Sequence, residues 1–343
     1  MKNHLFSKKS FGLNFVAIGG GNGLSTLLSG LKKFVAAGEV EPVWLENLAA
    51  IVAVSDDGGS SGRLRDELQM LPPGDIRNCM VALSEDSHLL SKLFQHRFRG
   101  GGDLGGHNFG NLFLAALSEI TGDFAEAVRL SSEILASKGH IYPATMADVR
   151  LTAELADGSI VRGETNISKV GNSIKRLRLE PENCQPLPET LAAISDADVI
   201  TVGPGSLFTS LLPPILVDGV ASAIADSSAA KIFICNLMTQ PGETDGFSAR
   251  RHLEIVREYA PSIDFDYIVV NNYPISEEQM KRYSGEGAMQ IGLAASISPE
   301  AVEGAEIIYG NLLDEGDKVR HHSEKLAQVV LLCAVQPRRE ILV

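Results

Sequence analysis

Phe15-Val16-Ala17-Ile18-Gly19-Gly20-Gly21-Asn22-Gly23-Leu24-Ser25 is the stretch from which the rest of the chain can be read. Four apolar residues with strand propensity run into a cluster of glycines, and the glycines run into a helical pattern over residues 25–34. There Leu24, Leu27, Leu28 and Leu31 form one apolar face. The unit is strand, tight turn, helix. Glycine lets the backbone approach an anion without a Cβ in the way, and the helix N-terminus offers free N–H groups and the positive end of its dipole. Gly20, Gly21, Asn22, Gly23, Leu24 and Ser25 are therefore candidate phosphate ligands. The other reading is a turn that simply packs helix on strand. The dinucleotide fingerprint is incomplete, because Leu24 and Thr26 stand where a third glycine would be needed. No Gly-Lys-Ser/Thr follows, so the turn is not a P-loop either.

Working outward, further short β-branched runs at 49–54, 199–202, 231–235, 267–270 and 306–309 alternate with helical periodicities. This predicts an α/β fold: a doubly wound, Rossmann-like, mainly parallel sheet with helices on both faces. From Asn108 on, Phe109, Leu112, Phe113, Ala116, Leu117 and Ile120 mark a buried helix, and 124–137 a second. The period then changes. Val149, Leu151, Ala153 and Leu155 alternate with polar residues before Asp157-Gly158, a type I′ hairpin signal, which predicts a small antiparallel β insertion near 143–190. The last helix spans about 323–335, with Ser323 as the candidate N-cap. The whole chain, 1–343, reads as one domain carrying that insertion.

Composition narrows the function classes. A formal charge of −13 leaves no general footprint for nucleic acid, which needs clustered Lys and Arg. The apolar stretch 211–225 is cut by Pro213, Pro214, Asp218 and Gly219, so no membrane span is expected. Lys2, Lys8 and Lys9 are not followed by an uninterrupted apolar segment, which argues against a secretory signal. Cys79, Cys184, Cys235 and Cys333 are dispersed and form no C-x-x-C pair, the pattern of reduced thiols in a cytoplasmic protein.

Several polar clusters fall at strand ends or helix starts. Asp56 and Asp57 in Ser55-Asp56-Asp57-Gly58-Gly59 are placed to accept from ribose hydroxyls or to share Mg²⁺ with phosphate oxygens; the alternative is an Asx turn and helix cap. Arg77, after Pro72-Pro73-Gly74-Asp75, suits a bidentate phosphate clamp or an internal pair with Asp75 or Glu85. His107 and Asn108 follow a glycine-rich loop at a helix start, making His107 a candidate acid, base or hydrogen-bond donor, with a structural role as the alternative. Gly203-Pro204-Gly205-Ser206 is a second strand-turn-helix candidate for an anion. Asn236 opens a segment, 236–244, whose amides and hydroxyls suit a base or sugar, or cap turns.

In this order, the segments 19–25, 55–63, 72–78, 106–111, 203–209 and 236–244 resemble the CofD-like family, which joins the 2-phospho-L-lactate transferases of coenzyme F420 synthesis to the bacterial gluconeogenesis factors. The runs 54–62 and 238–244 resemble the gluconeogenesis-factor branch. The resemblance implies a UDP-sugar ligand and control of cell shape and wall synthesis during gluconeogenic growth. It also implies that Tyr283 and Arg320 join the first glycine turn and Asn236 as ligand residues. Asn22 stands where many members carry threonine, and Asn108 where serine is common.

Three functions follow for comparison. The first is a regulatory protein that binds a UDP-sugar or a dinucleotide such as NAD and reports to a protein partner. The second is an Mg²⁺-dependent transferase acting on a deazaflavin acceptor, with Asp57 or His107 as catalytic candidates. The third, an NAD dehydrogenase, lacks the full fingerprint. A homo-oligomer is the general expectation for a protein of this class.

Overall fold

The computed structural model describes residues 11–36, 43–85, 88–170, 174–292 and 304–335; the basic N-terminus with Lys2, Lys8 and Lys9 lies outside them. The strands in chain order are β1 (Phe11–Gly19), β2 (Val43–Val52), β3 (His140–Pro143), β4 (Arg150–Leu155), β5 (Ile160–Arg162), β6 (Ile174–Glu180), β7 (Val199–Val202), β8 (Ala230–Ile234), β9 (Tyr267–Asn271) and β10 (Glu306–Gly310). The helices are α1 (Gly21–Leu31), α2 (Gly59–Leu68), α3 (Gly74–Leu83), α4 (His88–Gln95), α5 (Phe109–Thr121), α6 (Phe124–Ile134), α7 (Glu164–Ile167), α8 (Pro188–Ser195), α9 (Leu212–Leu216), α10 (Val220–Asp226), α11 (Ala249–Tyr259), α12 (Glu277–Gly285) and α13 (Ser323–Val335).

Seven strands form one sheet in the order β10-β9-β8-β7-β1-β2-β3, every neighbouring pair parallel. β1 lies between β2 and β7, with Phe15 opposite both Leu48 and Val199 and Ile18 opposite both Ile51 and Val202. Phe15, Val16, Ala17 and Ile18 are all essentially inaccessible, as a strand covered on both faces requires. The chain steps outward from β1 to β2 and β3, then returns to the other side of β1 for β7, β8, β9 and β10. That reversal leaves a crevice beyond the carboxyl ends of β1 and β7, the place where doubly wound sheets bind ligands.

Helices cover both faces. α1 packs against α3 and α13, while α9 packs against β1 and α11, and α8 against α10. The close approach of α1 and α13 requires Gly30, where a Cβ would run into the Ser323 carbonyl oxygen and lie 2.9 Å from the Ala327 Cβ. The buried thiols of Cys79, Cys184, Cys235 and Cys333 are all unbonded and pack as small apolar groups. The apolar stretch after β7 is a π-helical turn, Leu207–Leu211, continued by α9 and followed by α10 at an 80° bend. Among the described residues no single helix is long and apolar enough to cross a membrane.

The insertion is a three-stranded antiparallel sheet, β5-β4-β6, rather than a hairpin alone. Its third strand alternates buried Leu177 and Leu179 with exposed Arg176 and Arg178, so Leu177 and Leu179 share one buried face with Leu151, Ala153 and Leu155 of the neighbouring β4. The Asp157-Gly158 turn differs from the expected type I′. Only Gly158 has positive φ (84°), Gly158 N–H bonds Leu155 O and Leu155 N–H bonds Ser159 O, the geometry of a type I turn closed by a glycine bulge. Asp157 Oδ1 accepts from Ser159 N–H at 2.9 Å and fixes that choice.

Other boundaries also differ from the sequence reading. The first helix begins at Gly21, not Ser25, because the positive φ of Gly21 (63°) turns the chain directly from strand to helix. It ends at Leu31 in a 3-10 turn, Lys32–Phe34. β2 begins at Val43 rather than 49, its register with β1 shifted between Leu13 and Asn14. α6 ends at Ile134, short of 137. Ser323 is the first residue of α13 rather than its cap: His322 takes that role, its O accepting from Leu326 N–H and its Nδ1 from Lys325 N–H at 3.5 Å.

The Gly30 contact gives a prediction about the fold alone. Gly30→Ala should lower unfolding stability by about 1–3 kcal/mol through overpacking against α13, whereas Gly101→Ala, which meets nothing within 4 Å, should leave it nearly unchanged. Urea unfolding followed by circular dichroism measures both.

Candidate functional site

The crevice is built from two turns that interlock. Gly23 in the first turn of α1 lies against the loop after β7 so closely that a Cβ there would overlap the Pro204 carbonyl. Gly205 is similarly confined, with a Cβ position 3.1 Å from both Leu211 and Ser210 side-chain carbons. These contacts give the packing reading of the glycines a firm basis. They also leave Asn22, Gly23, Gly205 and Ser206 together on one rim. Asn236, just past β8, accepts the Gly205 N–H on Oδ1 at 3.1 Å, and Gln240 Nε2 donates to Ser206 Oγ at 2.7 Å. The loops following β7 and β8 are thus joined by polar contacts at their tips, and the first turn of α1 packs against the β7 loop.

The opposite wall comes from α12 and the loop 313–322. α12 starts with a capping box, in which Ser276 Oγ accepts from Gln279 N–H and the Gln279 side chain accepts from Ser276 N–H. Three of its side chains then hold the facing loop: Gln279 donates to Gly316 O, Arg282 to Asp317 O, and the Tyr283 hydroxyl accepts from Val319 N–H at 3.1 Å. The loop doubles back on itself through a bridge between Leu313 and His321, which presents Arg320 and His321. The open cleft measures about 370 Å³ and is lined by Asn22, Gly23, Gly205, Ser206, Asn236, Gln240, Tyr283, Arg320 and His321, among others. Burial pushes the His321 imidazole down to about 4, so the ring is neutral near pH 7.

The remaining sequence candidates lie outside that cleft. Leu24 is fully buried in the core, and Ser25 Oγ donates to Asn22 O within the helix. Gly20 and Gly21 face a carboxylate: Asp75 Oδ2 accepts the Gly21 N–H at 2.7 Å. An internal anion therefore occupies part of the helix N-terminus that the sequence reading assigned to phosphate. Asp56 Oδ1 accepts from Gly58 N–H at 2.8 Å, while Asp57 Oδ1 accepts from both the N–H and the hydroxyl of Thr165, at 2.9 and 2.7 Å. Asp57 thereby ties β2's end to α7 of the small sheet. Among the described residues, no three His, Cys, Asp or Glu side chains converge with metal-ligand geometry.

Asp56, Asp57, Asp75, Glu164 and Glu243 nonetheless share one electrostatic neighbourhood. Desolvation first, and then the charge of Asp56, pushes Asp75 up to about 6; Glu164 is pushed well above the usual carboxylate range by burial and by the other acids. Arg77 donates to the amide oxygens of Asn111 and Asn78, at 3.2 and 2.5 Å, rather than pairing with Asp75 or Glu85. His107 belongs to a buried network. Ser60 Oγ receives the Asn108 N–H at 3.3 Å and the Asn111 Nδ2–H at 3.2 Å, so its own proton goes to His107 Nδ1 at 3.1 Å. Burial, then Arg63, lowers the His107 pKa in agreement with an acceptor role. Asn108 caps α5, Oδ1 accepting from Gly110 N–H at 2.9 Å.

The sequence reading missed His321, Glu286, Val319 and Glu164. A histidine beside Arg320 in a polar loop gives no periodic signal; only the bridge to Leu313 reveals that it turns inward.

Known proteins are similar to this chain along nearly its whole length. The profile of the family described as 2-phospho-L-lactate transferase CofD matches residues 15–313. A putative gluconeogenesis factor from Nostoc sp. is 47% identical over 325 residues, spanning 93% of this chain and 68% of the relative. The gluconeogenesis factors of Halalkalibacterium halodurans and Bacillus subtilis are 46% and 44% identical, spanning 93% and 91% of this chain and 95% of each relative. A crystal structure of a UPF0052-family protein from Bacillus halodurans superposes with a TM-score of 0.85 at 45% identity, covering 93% of this chain and 99% of that one.

The Asp75 contact yields a pH prediction. Between its ordinary value of 3.8 and about 6 the folded chain holds a proton at Asp75 that the unfolded chain has released, so this group's contribution to stability falls as pH rises through that window. Asp75→Asn keeps an acceptor for Gly21 N–H and removes the charge. The variant should be more stable than the parent at pH 7 by on the order of 2 kcal/mol and nearly equal to it at pH 4, as read by urea midpoints at the two pH values.

Proposed function

The chain belongs to the CofD family, on the side of relatives named gluconeogenesis factor, and from that premise we propose that its cleft binds a nucleoside diphosphate sugar as a regulatory ligand. The observation that carries this reading is the convergence of Asn22, Gly23, Gly205, Ser206, Asn236, Tyr283 and Arg320 on one cleft, although they come from positions as far apart as 22 and 320. About 370 Å³ lies within the usual range for small-ligand sites, roughly 300–1,000 Å³. Asn22 and Arg320 supply hydrogen-bond donors for phosphate oxygens, and Arg320 supplies the positive charge. Asn236 and the Tyr283 hydroxyl suit the sugar and base. Because Tyr283 accepts from Val319 N–H, its own proton remains to be donated.

Regulation is favoured over group transfer by where the polar groups are engaged. The acidic residues that would serve a transferase are bonded to Gly58, Thr165 and Gly21, and lie outside the lining of this cleft. In this reading the protein is a UDP-sugar sensor that passes its state to a protein partner, linking carbon supply to cell shape and wall synthesis.

The test is calorimetric titration with UDP-N-acetylglucosamine, with NAD and GDP as comparisons, each with and without Mg²⁺. Saturable UDP-sugar binding without turnover is the expected result. Arg320→Ala should weaken it about tenfold to a hundredfold, the usual loss for a hydrogen bond to a charged group. Binding of GDP alone, dependent on Mg²⁺ and accompanied by product in the presence of a deazaflavin acceptor, would replace the sensor with the transferase.

A further inference from the structure

A groove of about 610 Å³ runs along the outer side of β3, between α6 and the start of α8, and the nucleotide reading makes no use of it. β3 is the last strand of its sheet, so its backbone is paired on one side only. The ladder shows which groups are left over. Ala53 N–H bonds Gly19 O of β1, and Ala144 N–H bonds Val52 O of β2; the peptide groups of Ala50 and Val52 therefore face β3, and those of Tyr142 and Ala144 face β2. Alternation turns those of Ile141 outward, into the groove that Ile141 lines. Among the described residues neither its N–H nor its C=O has a hydrogen bond. Pro143, the next residue to point outward, has no N–H, and its C=O accepts from Thr190 Oγ1 at 3.4 Å. The open edge is one residue long.

The walls of the groove are acidic. Asp123, Glu126, Glu133 and Glu189 line it against a single cation, Arg129, whose guanidinium is already held by Glu126 and Glu133. Asp123 caps α6 through Glu126 N–H at 2.9 Å, whereas Glu189 has neither an ion pair nor a hydrogen bond among the described residues. Glu189 lies near Tyr142: after burial, its charge raises the pKa of the phenol. The rings of His140 and Tyr142 are parallel, with centroids 6.1 Å apart, and both line the groove. A carboxylate beside an aromatic ring suits a guanidinium or an ammonium, and an unpaired strand edge suits an extended backbone. We propose that the β3 groove docks an extended, basic segment of a protein partner, which pairs its backbone with Ile141 and sets an arginine or lysine beside Glu189 and Tyr142. A second copy of this chain is the poorer occupant, because pairing β3 with itself across a two-fold axis brings the same carboxylates together. The proposal is independent of the nucleotide reading, since β2 separates β3 from β1 and the two linings share no residue. With one residue of backbone available, charge supplies most of the affinity.

The probes are random decapeptides displayed on phage and selected against the immobilised full chain; the enriched sequences are then synthesised and titrated by fluorescence anisotropy. Arginine or lysine alternating with apolar residues is the expected enrichment, with binding that weakens as salt is added. Glu189 is exposed on the first turn of α8, and thermal melts check that Glu189→Arg is folded. A selected peptide should bind that variant about tenfold or more weakly than the parent. The same peptide with methylated backbone nitrogens should lose a similar factor on the unaltered protein, a test that stands whatever the variant does. Hydrogen exchange at the Ile141 N–H should slow when the parent peptide is bound. Selection without basic enrichment would overturn the proposal, as would basic peptides that bind folded Glu189→Arg as tightly as the parent or leave Ile141 exchange unchanged. A parent that sediments as a dimer, and a Glu189→Arg variant that sediments as a monomer, would give the groove to a second copy and overturn it equally.

Discussion

The close approach of two backbones at the site, Gly23 against the Pro204 carbonyl, is the contact on which the cleft depends. It exists because β1 and β7 are neighbours in the sheet while their following segments leave toward different helical layers. Two turns must then share the space beyond two adjacent strand ends, and only a residue without a side chain lets them do so. Once joined, they form a rigid corner to which Asn236 and Gln240 attach through Gly205 and Ser206. The glycines at 23 and 205 accordingly have a packing role, and a ligand of the cleft would rest on the corner that this packing makes.

Beside that corner the protein concentrates negative charge. Asp75 holds the Gly21 N–H; after burial, the charge of Asp56 raises the proton affinity of Asp75, and the charges of Asp56, Asp75, Asp57 and Glu243 raise that of Glu164. A ligand phosphate approaching the start of α1 thus meets a helix terminus already partly neutralised from inside. Arg320, from the distant 313–322 loop, lines the cleft on the far side and restores attraction for an anion. The net charge of −13 makes such a local positive group more important than it would be in a neutral protein.

Much of this was visible in the amino-acid sequence, for identifiable reasons. The sequence places β7 at 199–202 and α13 at 323–335, the limits observed, because both are apolar patterns that end at clear polar or glycine signals. β3 gives little sign of itself in the sequence: it has four residues, ends in Pro143 and is paired on one side only, so its hydrophobic signal is slight. β6 is hidden by its arginines, whose alternation with Leu177 and Leu179 looks like a polar surface until β4 is known to pair beside it. Among the site residues, Asn22, Gly23, Gly205, Ser206 and Asn236 follow from strand ends, since the parallel topology carries the ends of β1, β7 and β8 to one edge. Tyr283 and Arg320 were accessible only through family resemblance, and His321 through neither. Their placement depends on one helix holding one irregular loop, a tertiary relation with no local pattern.

The two sides of the cleft are unequal in how they are built. The corner formed by β1, β7 and β8 is continuous with the apolar core, whereas α12 contributes no buried residue and holds its loop by side-chain bonds to the backbone of Gly316, Asp317 and Val319. The two bonds to Gly316 and Asp317 are exposed and the one from Val319 to Tyr283 is part-buried, so α12 has less local stability than the corner across the cleft. If the cleft takes the ligand proposed above, entry and exit would be decided on the α12 side while the corner keeps its shape.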